Sequence, residues 1–103
     1  MDKSIFEFQA DFCKAMGNPV RLQVLHTLRG HPKTVSEIAH ETGLSQSNVS
    51  RQLGVLRGIG VVNHQRHGME MLYILTDPQV GEVCDLVRKV LSEHMQRRSQ
   101  IIG

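Results

Sequence analysis

Amides, hydroxyls and guanidinium groups crowd one stretch of this 103-residue chain, and carboxylates are missing from it. From Gly43 to Met69 there are three arginines, two histidines and no Asp or Glu, although the chain holds ten acids. Within GLSQSNVSRQLGVL, Ser47, Arg51 and Gly54 fall on one side of a helix at about 100° per residue, flanked by Asn48 and Ser50. Such groups read base edges and hold phosphates. A carboxylate among them would repel a nucleic-acid backbone. Composition alone fits a solvated helix face equally well. A second chemistry lies in Cys13 and Cys84, far apart and in no CxxC or CxC pattern. In a reducing compartment two such thiols are either small buried hydrophobes or a sensing pair.

Other chemistries find less support. Ser, His and acidic residues occur without a nucleophile motif, a glycine phosphate loop or paired carboxylates, so no enzyme is expected and no cofactor is implied. His64 and His67 lie across one hairpin, and His26, His31, His40 and His94 form no close pair in sequence. The length argues for one domain over residues 1–103. A net charge of +2 is too mild to identify a polyanion partner without its distribution. No apolar run approaches the ~20 residues of a membrane span. MDKSIFEFQ carries charges where a secretion signal needs an apolar stretch, so a cytoplasmic location is expected.

The elements that must position these residues are legible from periodicity. Ile5, Phe8, Phe12 and Met16 recur at helical spacing over residues 4–16, facing inward. Asn18 and Pro19 open a second helix to about Arg29, with Leu22, Leu25 and Leu28 inward and Gly30 as its end. TVSE is a capping box for a short third helix that stops at Gly43. Ser45 caps a fourth, whose buried stripe is Val49, Leu53 and Leu56 and whose end is marked by Gly58 and Gly60. VVNHQ and MEMLYIL around an RHG turn predict a hairpin over residues 61–75, with Arg66, His67 and Gly68 at its tip. A last helix spans residues 77–96. Its Val80, Cys84, Val87 and Leu91 form a heptad-like seam suited to packing on another helix. The fold class is mainly α with a small β-hairpin, in the order α-α-α-α-β-β-α. Residues 34–57 make a helix-turn-helix, and the hairpin after it stands where a winged helix has its wing.

KAMGNPVRLQVLHTL, SEIAHETGLSQSNVSRQLGVL and GVVNHQRHGMEMLYIL together resemble the winged-helix domain of the ArsR/SmtB family of bacterial repressors. The similarity covers nearly the whole chain. It implies a homodimer joined by the first and last helices, with helix four of each protomer in successive major grooves of a near-palindromic operator on double-stranded DNA. An inducer bound to the dimer would release the DNA. On the family pattern, the DNA contacts fall on Gln46, Ser47, Ser50 and Arg51, with Arg66 at the wing. Asn48 and His67 adjoin them. Family members often carry lysine where this chain has Gly54.

The family's metal sites do not carry over. A thiolate site would need cysteines where Thr34-Val35-Ser36-Glu37 stands, and hydroxyls are poor ligands for soft ions. A zinc site in the last helix would fall on Asp77, Gln79, Val90 and Glu93, which lack both histidines. Some members sense persulfides or oxidants with a dithiol. There the partner of the last-helix cysteine closes helix two, where this chain has His26, so Cys13 would substitute for it. Three readings of the signal stay open: a Cys13/Cys84 thiol switch, a soft-metal or arsenical site on the same cysteines with His26 or His94, and an inducer that uses neither thiol. A rival class is a winged-helix protein-interaction module, which would need aromatic and leucine anchors on the outward face of helix four.

Overall fold

A computed structural model describes residues 4–102. The elements run α1 (Ile5–Met16), α2 (Pro19–Thr27), α3 (Val35–Thr42), α4 (Gln46–Gly58), β1 (Val62–His67), β2 (Glu70–Leu75) and α5 (Pro78–Ile102). This is the winged helix-turn-helix order expected from the sequence.

Local chemistry sets the boundaries. Ser4, Asn18, Thr34 and Ser45 each accept a backbone N–H of the first turn of α1, α2, α3 and α4. These caps satisfy donors that the helix itself leaves unpaired. Thr34 and Glu37 form the expected capping box, and its hydrogen bonds to Thr34 hold the Glu37 carboxyl below its ordinary range. Gly43 ends α3 with φ +76°, a left-handed conformation that glycine adopts without a Cβ clash. That residue sets the tight turn between α3 and α4.

The core collects Val24, Leu25, Leu28, Ile38, Val49, Leu53 and Leu56, all essentially inaccessible, with Val61, Val62 and Leu75 from the hairpin. Burying a Val, Leu or Ile stabilises by about 1.5–3 kcal/mol. The stripe Val49, Leu53 and Leu56 therefore fixes the rotation of α4 as firmly as anything in the molecule.

The hairpin is antiparallel, with Val62 opposite Leu75 and His67 opposite Glu70. Its turn is Gly68-Met69, with φ positive at Gly68 alone, as a type II′ turn requires. Arg66 and His67 are thus the last residues of β1 rather than part of the turn. At its base the hairpin is anchored by a bridge to Lys33, whose N–H donates to the Tyr73 carbonyl at 3.0 Å and whose carbonyl accepts from Tyr73 at 2.8 Å. The Lys33 side chain is buried there and pairs with Glu41 at 2.9 Å.

Four expectations from periodicity are corrected. Leu22 is exposed, and α2 buries Val24, Leu25 and Thr27 instead, because α2 meets α3 and α4 on a face rotated from the leucine stripe. Ile5 and Phe8 are also exposed, because α1 touches the core only through its C-terminal residues Ala15 and Met16. Leu28, not Gly30, is the C-cap of α2. Finally, α5 continues past Gln96 to Ile102.

Candidate nucleic-acid interface

Because Val49, Leu53 and Leu56 are pinned in the core, the opposite side of α4 must face solvent. Gln46, Ser47, Ser50, Arg51 and Gly54 are all exposed there. Among the described residues, neither Ser50 nor Arg51 has a side-chain hydrogen bond or ion pair, so both are available to a ligand. Gln46 reaches back to α3, its Nε2 donating to Ser36 Oγ at 3.0 Å. Ser47 Oγ lies 3.3 Å from the cap hydroxyl of Ser45. A Cβ on Gly54 would meet nothing within 4 Å, so packing does not demand a glycine there.

Asn48 sits differently. It is half-buried at the flank of α4, and its Oδ1 accepts from Gln52 Nε2 at 2.9 Å. Gln52 is buried, and its Oε1 accepts from Arg21 Nε at 3.0 Å. Arg21 Nη1 in turn donates to the Ala15 carbonyl at 2.8 Å. Sequence reasoning missed this chain of side chains from the end of α1 to α4. The available signal was the Asn48/Gln52 spacing of four, which puts two amides on one helix face.

On the wing, strand alternation puts Arg66 on the face of Val62 and His64, and His67 on the opposite face with Gln65. The His67 ring lies 3.3 Å from Gln65 Oε1, and the His64 ring stands edge-on to Tyr73 at 5.4 Å. Arg66 is exposed and unpaired. Arg57, near the end of α4, is likewise exposed and unpaired, although the sequence reading did not single it out. It belongs to the same acid-free run.

Away from this face, Cys13 and Cys84 line one open groove of about 1020 Å³ between α1, α2 and α5. Phe12, Met16, Leu22, Val83, Val87 and Leu91 supply its apolar lining, and His26 its rim. Cys13 is exposed. Cys84 is half-buried, and burial pushes its thiol up, opposed by the nearby Arg88. Among the described residues, no three of His, Cys, Asp and Glu gather as metal ligands.

A cluster of charges ties α5 to α2 beside the groove. Arg29 grips Asp85 Oδ2 through Nε at 2.9 Å and Nη2 at 2.8 Å, and Arg88 meets Oδ1 at 3.0 Å. These guanidinium groups, Arg29 first, hold the Asp85 carboxyl below its ordinary range. The Arg29 side chain lies directly on Gly81, where a Cβ would come within 2.3 Å of it. A lone glycine inside the α5 pattern was the sequence signal for this close packing.

Comparison with known proteins follows the same lines. Residues 18–64 match the family described as bacterial regulatory protein, arsR family. The HTH-type transcriptional regulator Rv0081 of Mycobacterium tuberculosis is 34% identical over 99 residues, 95% of this chain and 87% of its own length. Its crystal structure superposes with a TM-score of 0.82, covering 95% of this chain and 99% of that one. The homodimeric winged helix-turn-helix DNA-binding domain Mb0332 of Mycobacterium bovis, described as a possible ArsR-family transcriptional regulator, gives a TM-score of 0.81 at 30% identity, over 90% of this chain and 86% of its own. The biofilm growth-associated repressor of Xylella fastidiosa is 34% identical over 74 residues, 72% of this chain and 65% of its own length.

Proposed function

The chain belongs to the arsR family of bacterial regulatory proteins, a family of regulators and not of enzymes, and from that premise we propose that it is a homodimeric transcriptional repressor of the cytoplasm. It binds a near-palindromic operator on double-stranded DNA and leaves it when an inducer acts on the dimer. Gln46, Ser47, Asn48, Ser50 and Arg51 meet the major groove, and Arg66 and His67 on the wing meet the adjoining backbone or minor groove. The observation that carries this reading is the unpaired Ser50/Arg51 face, held outward by the buried Val49/Leu53/Leu56 stripe. Likeness to a homodimeric neighbour and the apolar residues exposed on α1 and α5 support the dimer. No helix among the described residues is long and apolar enough to cross a membrane.

A gel-shift titration with salt on the protein's own promoter region tests the DNA role. Affinity should fall steeply with salt as counterions are released from phosphates. Salt-insensitive binding, or none, would favour the protein-interaction module instead.

For the signal, the thiol switch has the better support, because Cys13 and Cys84 line one groove. An oxidant would join the two sulfurs, taking two electrons while two protons leave, and a persulfide donor would add sulfur to the bridge. With the Cys84 thiol pushed up by burial, attack begins at the exposed Cys13. Cys13→Ser and Cys84→Ser should each abolish release by persulfides or oxidants and leave DNA affinity intact. If both variants still respond, the thiols serve packing.

A further inference from the structure

We propose that Arg21 and Gln52 are positioning residues that decide which edge of Asn48 a base meets. Asn48 then reads the acceptor edge of guanine and not the mixed edge of adenine. This rests on the DNA-reading role of α4 given above.

The argument runs through donors and acceptors in strict order. A guanidinium carries donors only. Arg21 Nε therefore compels Gln52 to turn its oxygen toward Arg21, at 3.0 Å. The Gln52 nitrogen then faces the other way, and it donates to Asn48 Oδ1 at 2.9 Å. Asn48 consequently turns its oxygen into the protein and its NH2 away from Gln52. Neither amide can flip alone, because a flip would set nitrogen against nitrogen or leave the Arg21 donor facing another donor. Arg21 is itself held at two points. Its Nη1 donates to the Ala15 carbonyl at 2.8 Å, and its backbone N–H donates to Asn18 Oδ1 at 3.1 Å. Gln52 is buried, so water does not offer its amide an easy alternative.

The consequence for recognition is specific. Asparagine reads adenine with both ends of its amide, the oxygen accepting from N6 and the nitrogen donating to N7. Here the oxygen is committed inward. What remains is a pair of N–H donors beside Ser47 and Arg51 on the helix. Guanine offers O6 and N7, both acceptors, and suits that donor best.

The test selects duplexes from a random-sequence pool with the full chain and reads the base preference at each position. Wild type should show a position in each half-site that prefers guanine and that loses its preference in Asn48→Ala. In Gln52→Glu the carboxylate accepts from Arg21 with one oxygen and can only accept with the other. Asn48 must then turn its NH2 inward and its oxygen outward. Preference at that same position should move to cytosine or adenine, which offer a donor, with the ratio to guanine changing by about tenfold or more. Any repulsion from the added charge weakens all sequences alike and leaves that ratio untouched. The proposal is overturned if Gln52→Glu keeps the guanine preference, or if Asn48→Ala leaves every position unchanged. Should Gln52→Glu melt too low to assay, Asn48→Ala still decides, because loss of an adenine preference instead of a guanine one overturns it. A wild-type chain that enriches no sequence would sink the DNA-reading role itself, and this proposal with it.

Discussion

Two surfaces of this molecule are exposed for opposite reasons. The outer side of α4 is polar and free of acids, with Ser50 and Arg51 unpaired. The face built by α1 and α5 is apolar and nonetheless exposed, with Phe6 77% and Leu91 55% accessible. The first surface is stable in water and needs a partner only to act. The second is expensive to leave wet at roughly 25 cal/mol per Å² of apolar area, and so needs a partner to exist in comfort. The difference separates recognition from assembly along one short chain. It also places both thiols on the assembly side, where a change of packing is most easily felt.

The largest effect should come from the assembly face. Val87→Glu combined with Leu91→Glu puts two charges on the apolar side of α5. It should convert dimer to monomer in sedimentation and lower operator affinity about a hundredfold or more through loss of two-site binding. A variant that stays dimeric would show that α5 is not the interface. Next comes the reading face. Arg51→Ala should lose about 1–3 kcal/mol on the operator while losing less on random duplex, if Arg51 reads a base. An equal loss on all sequences makes it a phosphate contact.

A gain should follow from Gly54→Lys. The position is open, glycine inside a helix is about 1 kcal/mol worse than alanine, and a lysine adds a phosphate contact. The salt slope of binding should steepen by about one, with a higher melting temperature. The smallest effect concerns the charges linking the two regions. Asp85 has its pKa lowered in the folded state, so its contribution is present above the ordinary aspartate range and fades as pH falls through and below about 4. Asp85→Asn should melt slightly lower than wild type at pH 7, and the two curves should converge in acid.

The helix-turn-helix was legible in sequence because its signals are local. Ser45, Thr34 and Glu37 act within a turn of their own position, and Val49, Leu53 and Leu56 carry the helical period. The wing was legible from its β-prone runs and its glycine, and its turn lies at Gly68-Met69, past the Arg66-His67 pair. Leu22, Ile5 and Phe8 misled because periodicity shows that a helix has an apolar face and not what that face meets. In α1 and α2 part of that face meets no other part of this chain.

By itself, then, the sequence determined the element order, the caps, the acid-free reading helix and the buried stripe that orients it. Each depends on neighbours within about a turn or on the period of one element. The tertiary structure alone decided that Cys13 and Cys84 line one groove, that Arg29 rests on Gly81 and grips Asp85, and that Arg21 sets Gln52 and Asn48 in a fixed order. Those contacts join residues far apart in the chain. Their geometry depends on how α1, α2, α4 and α5 pack, which no local pattern encodes.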